Sequence, residues 1–123
     1  MQRTMLKSKI HKATVTNANV DYEGSMTIAE DIMEAADIIE NEKIQVVDVT
    51  NGSRLETYAI KGRRGSGHMT INGAAAKVMH KGDKVIVLTY MSLQDDKARD
   101  HNPRIVRLDE NNEIVSLITS TVV

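Results

Sequence analysis

Between Asp21 and Asp31 the chain reads DYEGSMTIAED, and its Gly24-Ser25 pair has the parts for chemistry on the backbone itself. A serine hydroxyl can attack the carbonyl that precedes it and shift the acyl group from nitrogen to oxygen. Glycine before the serine suits this twice over. It leaves the carbonyl carbon open, and it tolerates backbone angles that other residues resist. The ester so formed at Ser25 is a leaving group. Loss of the α-proton and β-elimination give a dehydroalanine, which hydrolyses to an N-terminal pyruvoyl group. A ketone of that kind can form an imine with a substrate amine and draw electrons from the bond that breaks, as pyridoxal phosphate does in other enzymes. Gly-Ser is also a common turn, so the dipeptide alone leaves a plain turn before a helix open.

Other spacings carry less. Gly62 to Gly67 has the G-x-x-x-x-G interval of a phosphate-binding loop, but His68-Met69 stands where Lys and Ser/Thr are needed, so a solvated loop is the better account. Lys61, Arg63 and Arg64 could touch RNA, yet no nearby aromatic residue offers a stacking face for a base. His11, His68, His80 and His101 share no metal-ligand spacing, so no metal is expected. Asn51-Gly52-Ser53 reads as a turn rather than a glycosylation site.

Composition narrows the class. The 123 residues suffice for one core, and a single domain spanning 1–123 is expected. Sixteen basic side chains against seventeen acidic ones leave a net charge of −1, no footprint for a polyanion such as nucleic acid. No cysteine means no disulfide, no thiolate nucleophile and no sulfur-bound metal. The opening MQRTMLKSKIHKATV alternates charged and apolar residues without a signal peptide's apolar run, and no stretch approaches the roughly 20 apolar residues of a membrane span. A cytoplasmic location with no membrane partner is the expectation. Three Tyr, no Phe and no Trp leave the core to aliphatic residues and seven Met, which makes any tyrosine a functional candidate.

The elements that must position these residues are mostly short strands. Residues 2–16 read as extended chain. TIAEDIMEAADII, Thr27 to Ile39, reads as the one clear helix, with Thr27 as cap, Glu30 completing a capping box, and Ile28, Ile32 and Ala35/Ala36 on one face. Ile44 to Thr50 and Arg54 to Ile60 read as a hairpin about a two-residue Asn51-Gly52 turn. HMTIN is a short strand, GAAA a tight or helical turn, and KVIVLTYMSL a strand buried on both faces. DDKARD is one helical turn, and RIVRLD with EIVSLITS forms a last hairpin. Many short strands with frequent turns imply a mainly β protein, a closed or nearly closed barrel.

Several separated motifs then converge. YEGS at Tyr22 to Ser25, VTNG at Val49 to Gly52, TYAI at Thr57 to Ile60, NGAAA at Asn72 to Ala76 and the opening RTML at Arg3 to Leu6 together resemble pyruvoyl-dependent aspartate 1-decarboxylases. The match runs without a gap through KGDKVIVL, and from Leu93 onward it persists in pattern more than identity.

The resemblance implies a small double-psi β-barrel with one or two short helices. It implies self-cleavage between Gly24 and Ser25, leaving 1–24 as a small chain and 25–123 as a large one. It further implies a homotetramer with inter-subunit active sites, and conversion of L-aspartate to β-alanine and CO2 for pantothenate and coenzyme A synthesis. The cofactor would be the pyruvoyl made from Ser25, with no metal and no pyridoxal phosphate. By the same resemblance Thr57 stabilises the oxyanion during cleavage. Tyr58 returns a proton to Cα; phenols titrate at about 10, so one is available as a donor at neutral pH. Arg54 clamps the substrate carboxylate with a planar two-pronged donor. Lys9 and His11 match site residues, Gly73, Ala74 and Ala75 match a segment that meets substrate through its backbone, and Asn72 belongs to the same loop. A non-cleaving barrel that binds nucleic acid or protein is the competing reading.

Overall fold

The computed structural model describes residues 1–119, and the last residue of the expected strand EIVSLITS, Ser120, lies outside them. The chain runs β1 (Gln2–Thr14), β2 (Asn17–Asn19), β3 (Ser25–Ala29), α1 (Glu30–Ala35), β4 (Lys43–Asp48), β5 (Arg54–Gly62) and β6 (Met69–Asn72). A 3-10 turn at Gly73–Lys77 follows, then β7 (Lys84–Gln94), α2 (Asp95–Arg99), β8 (Arg104–Leu108) and β9 (Ile114–Ile118). The described residues are mainly β with two short helices. No described helix is long and apolar enough to cross a membrane.

The nine strands form one mixed sheet in the order β2-β6-β3-β5-β4-β7-β1-β8-β9, and the ladder is not closed. It curls strongly all the same. Just past β1, the Val15 amide donates to the Asp83 carbonyl at 2.9 Å and the Thr16 amide to the Met69 carbonyl at 2.9 Å. The chain just past β1 thus bonds to β6, five places away in the ladder.

The enclosed core is aliphatic and Met-rich, as the composition requires: Ile10, Met26, Ile28, Ile32, Ile44, Val46, Met69, Ile71, Met79, Val85 and Val87 are fully buried. Each such side chain contributes about 1.5–3 kcal/mol on leaving water. None of the three tyrosines joins it. Tyr22 is 66 %, Tyr58 38 % and Tyr90 47 % exposed, so these rings are not core filler.

Three local expectations need correction. The helix expected over 27–39 covers only Glu30–Ala35, and Thr27 lies in β3, facing Ile60 of β5 and Thr70 of β6. Two strand neighbours outweigh an isolated capping box, whose side-chain bond is not made. Glu30 instead faces Lys61 and Arg64, each at 3.5 Å. The β4–β5 connection is longer than the expected two residues. Asp48 Oδ1 accepts the amides of Thr50 and Asn51 at 2.8 and 3.2 Å, and only Gly52 takes a positive φ, of 79°. Finally, β7 alternates between buried and partly exposed positions instead of being buried on both faces, because one side of the curled sheet faces outward.

Candidate active site

β3 begins at Ser25 and lies between β5 and β6, antiparallel to β6 with Ser25 opposite Asn72. That register brings two widely separated motifs together. Asn72 Nδ2 donates to Ser25 Oγ at 3.1 Å and to Thr27 Oγ1 at 3.1 Å. Both Ser25 and Asn72 are buried, so the hydroxyl is held in one place by a group that cannot swing into solvent.

The backbone here is strained, but not where glycine was expected to take the strain. Gly24 does not adopt a positive φ, whereas Ser25 does, at 130°. A side chain in such a region costs about 1–3 kcal/mol and persists only where the surroundings enforce it. Gly24 supplies access instead: a methyl group on its Cα would meet nothing within 4 Å.

Gly73 presses against the same segment. Its φ is 76°, and a methyl group there would lie 2.8 Å from Gly24 Cα, 2.9 Å from the Gly24 nitrogen and 3.0 Å from the Tyr22 carbonyl oxygen. Only glycine allows this approach of two backbones.

Two clefts flank the Gly24-Ser25 bond. One, of about 550 Å3, is lined by Tyr22, Glu23, Gly24, Ser25, Thr27, Tyr58, Ile60, Thr70 and Asn72. The other, of about 370 Å3, is lined by Gly24, Leu55, Glu56, Thr57, Asn72, Ala74 and Ala75. Successive residues of a strand point to opposite faces, so adjacent Thr57 and Tyr58 of β5 serve different clefts. Gly24 and Asn72 border both. A hydroxyl donor thus sits on one side of the bond and a phenol on the other.

The structure therefore brings Gly24, Ser25, Thr57, Tyr58, Asn72, Gly73, Ala74 and Ala75 around one peptide bond. Lys9, His11 and Arg54 line neither cleft. Lys9 and His11 lie on β1, and Arg54 is exposed at the start of β5. Burial, then the charges of Lys9, Arg107 and Lys12, push the His11 imidazole below its ordinary value. Among the described residues no three His, Asp or Glu side chains gather as metal ligands.

Sequence reasoning missed Thr27, Ile60, Thr70 and Glu23 as lining residues. Alternation carries the signal for two of them: Thr27 is two beyond Ser25 on β3, and Ile60 two beyond Tyr58 on β5. Reading Thr27 as a helix cap hid the first.

Comparison with known proteins shows which sequences the chain resembles. The family model for aspartate decarboxylase matches residues 1–115. An aspartate 1-decarboxylase of Acetivibrio thermocellus is 57 % identical over 114 residues, covering 93 % of this chain and 90 % of its own. One from Caldicellulosiruptor saccharolyticus is 58 % identical over 113 residues, covering 92 % and 88 %. One from Bacillus cereus is 51 % identical over 118 residues, covering 96 % and 93 %.

Proposed function

The chain belongs to the aspartate decarboxylase family, and on that footing we propose that it converts L-aspartate to β-alanine and CO2 with a pyruvoyl group made from its own Ser25. The reading includes a role in supplying β-alanine for pantothenate and coenzyme A, in the cytoplasm. The observation that carries it is the buried Ser25 hydroxyl, fixed by Asn72, next to an exposed Gly24 and at a positive φ.

These residues support self-processing. Ser25 Oγ would form a bond to the Gly24 carbonyl carbon, and Thr57, which lines a cleft that Gly24 also borders, is a hydroxyl donor suited to the developing oxyanion. Collapse breaks the C–N bond, the amine takes the proton, and the strain at Ser25 is released. Removal of the Ser25 α-proton then expels the Gly24 carboxylate. One water enters, ammonia leaves, and 1–24 separates from 25–123. The residues fit such a group: it would lie in the larger cleft, with Asn72 as a donor beside it. Once formed, the ketone would condense with the substrate amine and take up the electrons of the breaking carboxylate bond.

The rest falls to ordinary side chains. Tyr58, on the larger cleft, would protonate Cα after CO2 departs. Ala74 and Ala75 are small enough for substrate to approach their backbone groups. Lys9, His11 and Arg54 would hold the substrate carboxylates. Since they line neither cleft of their own chain, a homotetramer with sites between subunits is the arrangement that lets one copy complete another.

Intact-mass measurement tests this. The expected result is two fragments split after Gly24, the larger refusing N-terminal sequencing, and CO2 release with aspartate preferred over glutamate. Ser25→Ala should fold, stay whole and be inactive. A single uncut wild-type chain after prolonged warming would favour the competing reading of a non-cleaving barrel that binds nucleic acid or protein.

A further inference from the structure

The cations of β1 have a neighbour that the family resemblance did not supply. β8 runs parallel to β1, with Lys9 opposite Ile105 and His11 opposite Arg107. Residues paired across a ladder project from the same face, and so do residues two apart on a strand. Arg107 therefore stands on the face that carries Lys9 and His11. Lys12 borders the group at a register break between Ile10 and Ala13, with a φ of 62°.

This is an unusual place for so much positive charge. Lys9, His11 and Arg107 are all half-buried, and among the described residues no carboxylate lies within 4 Å of Lys9, Lys12 or Arg107. Six other cations, Arg3, Lys7, Lys43, Lys61, Arg64 and Arg99, each meet an acid, whereas what sets this stretch apart is that three without one stand close together around His11. The β7 residues beside this stretch, Leu88, Val87 and Val85, are apolar and bring no compensating charge, and Ser116 of β9 lies opposite Arg107.

His11 answers to the crowding. Its Nδ1 is buried without a hydrogen-bond partner, so a proton placed there would have nothing to bond. Charging the ring would therefore bury an unbonded N–H, which disfavours the charged form in the same direction as burial and the neighbouring cations. Lys9, His11 and Arg107 thus share one face with no carboxylate of the described residues paired to them, an arrangement suited to an anion.

We infer that Arg107 is a further substrate-positioning residue, which with Lys9 and His11 holds a carboxylate of the dicarboxylic amino acid at a site completed by another copy of the chain. This rests on the reading that Lys9 and His11 belong to the aspartate site. An arginine here adds two parallel donors in one plane, which fix the orientation of a carboxylate as a lysine cannot.

The test uses the mature protein carrying Arg107→Gln or Arg107→Lys. Decarboxylation is followed against aspartate concentration, and binding of succinate, a dicarboxylate with no amine, is measured by calorimetry. For Arg107→Gln, KM should rise about tenfold, the size of one charge-assisted hydrogen bond. The succinate Kd should rise by a similar factor, with kcat within about twofold of wild type and thermal melting unchanged. Arg107→Lys should recover part of both. Should Arg107→Gln fail to fold, Arg107→Lys carries the test alone, with KM and Kd about threefold up from lost two-pronged geometry. Wild-type KM and succinate Kd in a folded variant would overturn the inference and leave the decarboxylase reading standing. A wild-type protein that neither matures nor acts on aspartate would take down both.

Discussion

Gly73→Ala isolates the contact that presses the NGAAA turn against the residues ahead of Ser25. Two costs are legible in the structure. Alanine at a φ of 76° enters the left-handed region, worth about 1–2 kcal/mol. Its methyl group would also lie 2.8–3.0 Å from backbone atoms of Gly24 and Tyr22. Backbone cannot rotate aside as a flexible side chain can, so the segment must shift, at about 1–3 kcal/mol more. The sum is about 2–5 kcal/mol. The second part falls on the geometry of the Gly24-Ser25 bond, where, if it is cut as proposed, a misplacement of about 1 Å can slow the reaction by about 100-fold.

Gly52→Ala provides the control. Gly52 has nearly the same φ, 79°, but a methyl group there meets nothing within 4 Å. It should therefore lose stability by the first cost alone and mature at the wild-type rate. The assay is the fraction of cleaved chain against time by intact mass, with thermal melting in parallel. Gly73→Ala should melt lower than Gly52→Ala and process at least tenfold more slowly. If both variants mature alike, the packing of Gly73 on Gly24 does not govern cleavage and the argument from that contact is wrong.

Two further outcomes are expected. Tyr58→Phe should mature normally, since the phenol lies across the bond from Thr57, but turn over about 100- to 10,000-fold more slowly, as loss of a general acid predicts; full activity would assign Cα protonation to another group. At the β4–β5 connection, burial and then the Asp83 carboxylate push the Asp48 carboxyl above its ordinary value, while the bond to Asp48 and the His80 amide lower Asp83. A raised carboxyl stabilises the fold at low pH and loses that contribution as pH rises through its folded value. Asp83 does the reverse, losing its contribution only as pH falls through its depressed value. Asp48→Asn keeps an acceptor for the Thr50 and Asn51 amides and gains a donor toward Asp83, so it should remove the alkaline loss, about 1–3 kcal/mol. A variant whose melting temperature declines with rising pH as steeply as the wild type would refute the role of the raised Asp48 carboxyl.

Much of the fold is readable wherever local pattern and tertiary setting agree. The β4–β5 and β8–β9 hairpins and the α2 turn follow from alternation and turn residues. The 27–39 segment fails for the opposite reason. Thr27 and Ile28 fit a helix start as well as a strand, and the choice depends on their partners in β5 and β6, Ile60, Lys61, Thr70 and Met69, which lie far along the chain. No window around Thr27 contains that information. The brief strand β2 is invisible for the same reason, since it exists by pairing with β6.

For the site, the residues themselves determined the chemistry available: a hydroxyl after a glycine, a phenol in a chain that barely uses aromatics, and no thiol or clustered ligand to offer another route. Tertiary structure decided everything that depends on direction. It set Asn72 on the Ser25 hydroxyl, placed the positive φ on serine instead of glycine, and sent Thr57 and Tyr58 to opposite sides of one bond. It also put Arg107 beside His11. The reason is physical: a side chain's chemistry is carried by its own atoms, whereas register and backbone strain come from pairing between strands far apart in the chain, and only the folded sheet sets them.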